Sequence, residues 1–147
     1  YHYFRSFSDF LIGRVQLSTG KVEYLQVPAQ IVREKGKPEE ALWTKPLPND
    51  MKNADGFCAT QDKRNAGSGW GHVTAAPPIV VGKHIYWPTM VGTVYILDWT
   101  APRLNEQALV SVSDLGPAGQ TWSLASLTYV NGQLYARTLK ELICFGE

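Results

Sequence analysis

The chain has only two cysteines, Cys58 and Cys144, among its 147 residues. Neither stands at a metal-ligand spacing from the other or from a histidine, so no zinc site is suggested. Whether they pair is a question of geometry that sequence leaves open. No stretch is long and apolar enough to span a membrane. No signal peptide is present. The first residue, Tyr1, falls inside a strand-like run, so any targeting segment is expected upstream of it. Formal charge is +1 and the basic residues are scattered. Lys63-Arg64 and the Lys35/Lys37 pair are too short for the basic stripe of a nucleic-acid binder and read as solvated loop charges. An amphipathic helix of useful length is also missing. Glu34 to Leu42 has room for one short helical turn, interrupted by Gly36 and Pro38.

Apolar residues make up 44% of the chain, which places it among globular rather than disordered sequences. They come in short runs rich in Val, Ile, Leu, Tyr and Trp, bounded by Gly, Asn and Pro, the pattern of β-strands. Two stretches align without a gap: 76–89 and 125–138, at an offset of 49 residues. Val81 matches Val130, Ile85 matches Leu134, Tyr86 matches Tyr135 and Thr89 matches Thr138. Each is followed by another apolar run, Thr93 to Asp98 in the first and Glu141 to Phe145 in the second, one residue closer. A one-residue change is tolerated in a connecting turn, whereas within a strand it would flip every side chain to the other face. A weaker third copy opens the chain, where Tyr1 to Ser6 matches His84 to Thr89 and is followed by Leu11 to Leu17 and Val22 to Val27. Asn131-Gly132 suits a type I′ hairpin turn. A period of this length, built from several short strands, predicts propeller blades. A β-sandwich also has short strands but gives no reason for superimposable copies.

The stretch from Ala76 to Tyr86, with Gly92-Thr-Val-Tyr-Ile-Leu-Asp98, resembles the PQQ-like (quinoprotein-type) β-propeller repeat. Thr19-Gly-Lys-Val-Glu-Tyr24 is similar to the same family's Thr-Gly-Lys-x-x-Trp element, with Tyr24 in the place of Trp. The matching segments cover about half of the chain. The last copy departs from the pattern, with Ser126-Leu127 for the Pro pair and Gly146 for the terminal Asp. The resemblance implies an all-β fold of about three antiparallel blades, a fragment of a larger ring. Residues 1–28 form a partial blade, 29–72 a long insertion or loop, 73–121 a blade and 122–147 a partial last blade. It also implies that, if Glu147 is the natural C-terminus, the last blade takes its outer strand from the N-terminal region of the full protein.

The least repetitive segment, Pro28 to His72, is long for a loop, and long loops in compact domains are usually functional or disordered. Its end, Asp62 to His72, gathers acid, base, amide, indole and imidazole just before an inner strand. The resemblance places that connection near the mouth of the central channel, where ligands bind. The candidate ligand-binding residues are Asp62, Arg64, Asn65, Trp70 and His72, together with Trp122, which holds a similar place in the next copy. The plainer account is a polar turn, with Gly67, Gly69 and Gly71 serving backbone geometry and Trp70 anchoring the packing. No Gly-Lys-Ser/Thr follows, so a phosphate loop is not expected. His2, His72 and His84 share no ligand spacing, and His84 reads as a strand-face residue. No nucleophile motif, calcium loop or other catalytic signature appears. Cys144, inside the run Leu142 to Phe145, reads as a small buried hydrophobe.

The function expected of such a chain is that of a non-catalytic binding or scaffold module, taking a protein partner through its loops, with no cofactor and no nucleic acid. The resemblance implies an extracytoplasmic, periplasmic setting, similar to the propeller component of the outer-membrane β-barrel assembly machinery. The alternative is part of a quinoprotein dehydrogenase holding PQQ and calcium. That would require a vicinal Cys pair and an acid and amide ligand set, and neither is visible in this sequence. A third possibility is a polysaccharide- or peptide-binding propeller attached to another domain. Fold does not choose among these, because function lives in sites grafted on folds.

Overall fold

The structure is a computed structural model and describes residues 1–6, 9–58 and 76–146. It is all-β, with no α-helix among the described residues. Three antiparallel meanders follow one another along the chain. The first joins β1 (His2–Arg5), β2 (Leu11–Val15) and β3 (Val22–Gln26). The second is four-stranded, with β6 (Ile79–Val81), β7 (His84–Pro88), β8 (Thr93–Asp98) and β9 (Leu109–Asp114). The third joins β10 (Thr128–Val130), β11 (Gln133–Arg137) and β12 (Leu142–Phe145). Between the first and second lies a small hairpin, β4 (Gln30–Val32) with β5 (Glu40–Leu42).

The repeat seen in the sequence is a repeat of strand pairing. The pairs Ile79–Tyr86, Val80–Ile85 and Val81–His84 recur as Thr128–Tyr135, Tyr129–Leu134 and Val130–Gln133. The pairs Ile85–Leu97 and Tyr86–Ile96 recur as Leu134–Phe145 and Tyr135–Cys144, so the missing residue is absorbed in the β11–β12 turn and not within a strand. The first sheet keeps the same register, for Trp87–Tyr95 and Pro88–Val94 correspond to Phe4–Gly13 and Arg5–Ile12. Asn131 and Gly132 both have positive φ, 50° and 85°, as a type I′ turn requires.

Alternation along the strands gives the second sheet two apolar faces. Ile85, Trp87, Tyr95 and Leu97 on one face share a core cluster with Ile12 and Leu25 of the first sheet. Val94 on the other face clusters with Ala136 of the third sheet. Ile79, Tyr86 and Ile96 from the second sheet and Leu134, Ile143 and Phe145 from the third pack around them. The three sheets are therefore stacked face to face, with the second in the middle. In β3, Val22 and Tyr24 take one side, which is exposed, and Leu25 takes the other, which is buried.

Between the first two sheets the contact is partly polar, through charged side chains bonded to backbone groups. Arg14, 1% exposed, sends Nε to Glu23 Oε2 at 2.7 Å, Nη1 to the Ala101 carbonyl at 2.8 Å and Nη2 to the Pro102 carbonyl at 2.8 Å. The same carboxylate oxygen accepts the Leu104 N–H at 3.2 Å. Burial disfavours the Arg14 charge, yet hydrogen bonds and charge attraction from Tyr3 and Glu23 outweigh it and leave the guanidinium pKa raised. Its cation also lies 4.3 Å from the centre of the Tyr1 ring.

Three local expectations are corrected. Residues 34–42 form no helical turn: Glu40 to Leu42 is a strand and Gly36, at φ 81°, lies in the turn between β4 and β5. Only the hairpin lets Ile31 meet Ala41 across the ladder. Leu17 lies beyond the end of β2 and is exposed, because the chain already turns there, with the Gly20 N–H donating to the Gln16 carbonyl. Cys144 is an exposed free thiol rather than a buried one, since its position in β12 points to the uncovered face of the third sheet.

Candidate functional site

The connections that lead between sheets meet the β7–β8 turn at one end of the stack, and the segment from Val27 to Asn49 is strapped across that end. The strap is held by single polar side chains. Tyr95 Oη donates to the Pro28 carbonyl at 2.6 Å. Gln30, 2% exposed, donates from Nε2 to the Val91 carbonyl at 3.5 Å and accepts the Leu47 N–H at 2.8 Å. Asn49 Nδ2 donates to the Thr121 carbonyl at 2.7 Å, while its Oδ1 accepts the Met51 N–H at 3.0 Å. At the strap's other edge, Arg33 pairs with Asp114, with Glu39 at 2.7 Å, and donates to the Val112 carbonyl at 3.0 Å.

Beneath the strap, Met51, Met90, Val91 and Trp122 form a small core of their own. Thr121 fits against Gly92, where an added Cβ would come within 2.6 Å of its Cγ2. Gly92 also has φ 89°, so both space and backbone require glycine there. The Ser123 N–H donates to the Met90 carbonyl, and the Leu139 N–H to the Trp122 carbonyl, which ties the turns of the second and third sheets together. The end also carries exposed apolar side chains: Leu47, lying against Gly119, and Leu124 and Leu139.

The charged chemistry of this end is sparse. Arg5 sits 4.7 Å from the centre of the Tyr95 ring. Burial lowers the Arg5 pKa, and burial raises that of Tyr95, with the arginine acting in opposition. The phenol therefore stays protonated and donates to the Pro28 carbonyl. Among the described residues, no three His, Cys, Asp or Glu side chains converge into a metal-holding group. No described helix is long and apolar enough to cross a membrane. A separate open groove, lined by Leu25, Gln26, Trp43, Glu106 and Leu109, runs beside β3 and β9.

Of the residues singled out in the sequence, Asp62, Arg64, Asn65, Trp70 and His72 lie outside the described residues. Trp122 is described and is 1% exposed, with its indole packed against methionine and valine side chains. His84 is half-buried on β7, edge-on to Tyr86, and His2 is exposed on β1. Nothing in the sequence marks Gln30 and Asn49. They are lone amides, and the carbonyls they reach lie 61 and 72 residues further on.

No family model, no curated protein and no solved structure matches this chain.

Proposed function

We propose that the three sheets are successive blades of a PQQ-like β-propeller, part of a larger ring. In this reading the chain is a non-catalytic module that takes a protein partner through the loops at its strapped end. The observation that carries it is the shared pairing register of the three meanders. Three copies with one register, stacked through opposite faces of the middle one, fit a series of blades better than a two-sheet sandwich. Exposed Leu47, Leu124 and Leu139, at the end that buries Trp122, offer an apolar surface suited to a protein. An extracytoplasmic, periplasmic location goes with this reading through the resemblance.

The test is titration of the protein with PQQ and Ca²⁺, followed by intrinsic tryptophan fluorescence. The scaffold reading expects no saturable change. Saturable binding that depends on Ca²⁺ would overturn it in favour of a dehydrogenase.

A further inference from the structure

An open groove lies where the first and second sheets meet at one edge, beside β3 and β9, the last strand of each. Leu25 and Leu109 line it, and both belong to the apolar contact between those two sheets. Trp43, just after β5, Gln26, at the end of β3, and Glu106, in the turn before β9, complete the lining. The two sheets already touch through their faces. A sheet added beyond either end of the stack would therefore cover an outer face and not this edge. The groove has a volume of about 660 Å³, within the range of about 300–1,000 Å³ for small-ligand clefts.

Its polar groups are uncommitted. Among the described residues, no hydrogen bond or ion pair engages the side chains of Gln26, Trp43 or Glu106. Comparable side chains elsewhere serve the fold. Gln30 bonds Val91 and Leu47, Trp99 gives its indole N–H to the Gly82 carbonyl, and Glu23 holds Arg14. Trp43 is 49% exposed, whereas Trp87 and Trp122 are 6% and 1% exposed. What the groove offers is an indole surface, a donor from Trp43, donors and an acceptor from Gln26, and acceptors from Glu106. A matching ligand both donates and accepts hydrogen bonds and carries a flat apolar face. An ammonium group only donates, so it would oppose the donors of Gln26 and Trp43. A phosphate or carboxylate would meet Glu106 with like charge. A neutral sugar fits, because each hydroxyl donates and accepts and the C–H face of a pyranose ring is apolar. We propose that this groove is a saccharide-binding site, with one sugar ring stacked on Trp43 and its hydroxyls shared between Gln26 and Glu106. The groove is open rather than enclosed, which suits a sugar within a longer chain. The assignment does not rest on the sheets being blades of a ring, nor on a protein binding at the strapped end.

The experiment is isothermal titration calorimetry of the chain with cellohexaose, maltohexaose and chitohexaose, with tetralysine as the charged comparison. The proposal expects at least one of the sugars to bind at millimolar concentration or below, with little dependence on salt because the ligand is neutral. Trp43→Ala should weaken that binding by about tenfold or more, the scale for truncating an aromatic anchor. Trp43→Tyr should restore most of it. Gln26→Ala and Glu106→Ala change exposed side chains, so each should keep the wild-type far-UV spectrum while weakening binding several-fold. No binding by any of the three sugars overturns the proposal. So does sugar binding that is unchanged in Trp43→Ala and Gln26→Ala, which would put the site elsewhere. Tetralysine binding in place of the sugars, lost in Glu106→Ala, would overturn it in favour of a site for basic side chains. Calcium-dependent PQQ binding would sink the scaffold reading and leave this groove's assignment standing.

Discussion

Arg14 holds Glu23 directly across the β2–β3 ladder and, with its other two nitrogens, reaches the carbonyls of Ala101 and Pro102 in the neighbouring sheet. By register Arg14 stands where Ile96 stands in the second sheet. A guanidinium that hydrogen-bonds backbone carbonyls thus stands at one intersheet contact where the next has an aliphatic side chain. Arg14→Ala removes the hydrogen bonds to Glu23, Tyr3, Ala101 and Pro102 and leaves two carbonyls without their donor. It should destabilise the fold, because the carbonyls lose their donor. Urea unfolding followed by tryptophan fluorescence measures it. Arg14→Met, which keeps volume and drops charge, should cost less than Arg14→Ala.

The same pair predicts a dependence on pH. The Arg14 hydrogen bond, and then the Leu104 N–H, hold the Glu23 carboxyl below the usual carboxylate range. A group whose folded pKa lies below its unfolded one contributes stability that is complete above the unfolded value, about 4.3 for glutamate. That stability is lost as pH falls through the lower folded value. Thermal unfolding should therefore steepen its decline below that range, and Glu23→Gln should flatten the decline there. An identical acid profile in both proteins would show that the carboxylate is not held as described.

Gly13 carries the Phe4 ring on its face, in the space a Cβ would occupy. The ring also meets Tyr24 edge-on, with centroids 5.9 Å apart. Gly13→Ala should cost about 1–3 kcal/mol through overpacking. Combined with Phe4→Ala, the alanine at position 13 should cost much less, so a double-mutant cycle should report a coupling of about 1 kcal/mol or more.

Trp122 is buried under the strap, so Trp122→Ala should cost about 3–5 kcal/mol, the range for removing a large core aromatic. Tyr95→Phe is a finer probe of the same end. It keeps the ring and leaves the Pro28 carbonyl unbonded, for a cost of about 1–3 kcal/mol. Amide exchange in β4 and β5 should quicken more than in β10 and β11 if the strap is what Tyr95 secures.

The ladders were legible because a hairpin's register is local. Val81-Gly-Lys-His84 and Val130-Asn-Gly-Gln133 sit at equal distances from matched side chains, and alternation then fixes both faces. The long segment was not legible in this way. Gly36 and Pro38 read as interruptions of a helix, yet they belong to the link between two three-residue strands whose cross-strand neighbours decide the outcome. Cys144 shows the same limit. An apolar run says that a residue suits a sheet face, but not whether a neighbouring sheet covers it. The amides Gln30 and Asn49 gave no signal, because what they satisfy is a carbonyl brought near only by the finished fold.

That last feature sets an order of assembly. Each meander closes over short loops and can form soon after its residues leave the ribosome, since local contacts carry little loop-closure entropy. The strap cannot. Asn49 must wait for Thr121, made 72 residues later, and Gln30 must wait for Val91. During synthesis, then, the first sheet stands formed while the strap beside it hangs loose. The strap is an early segment fastened by later ones.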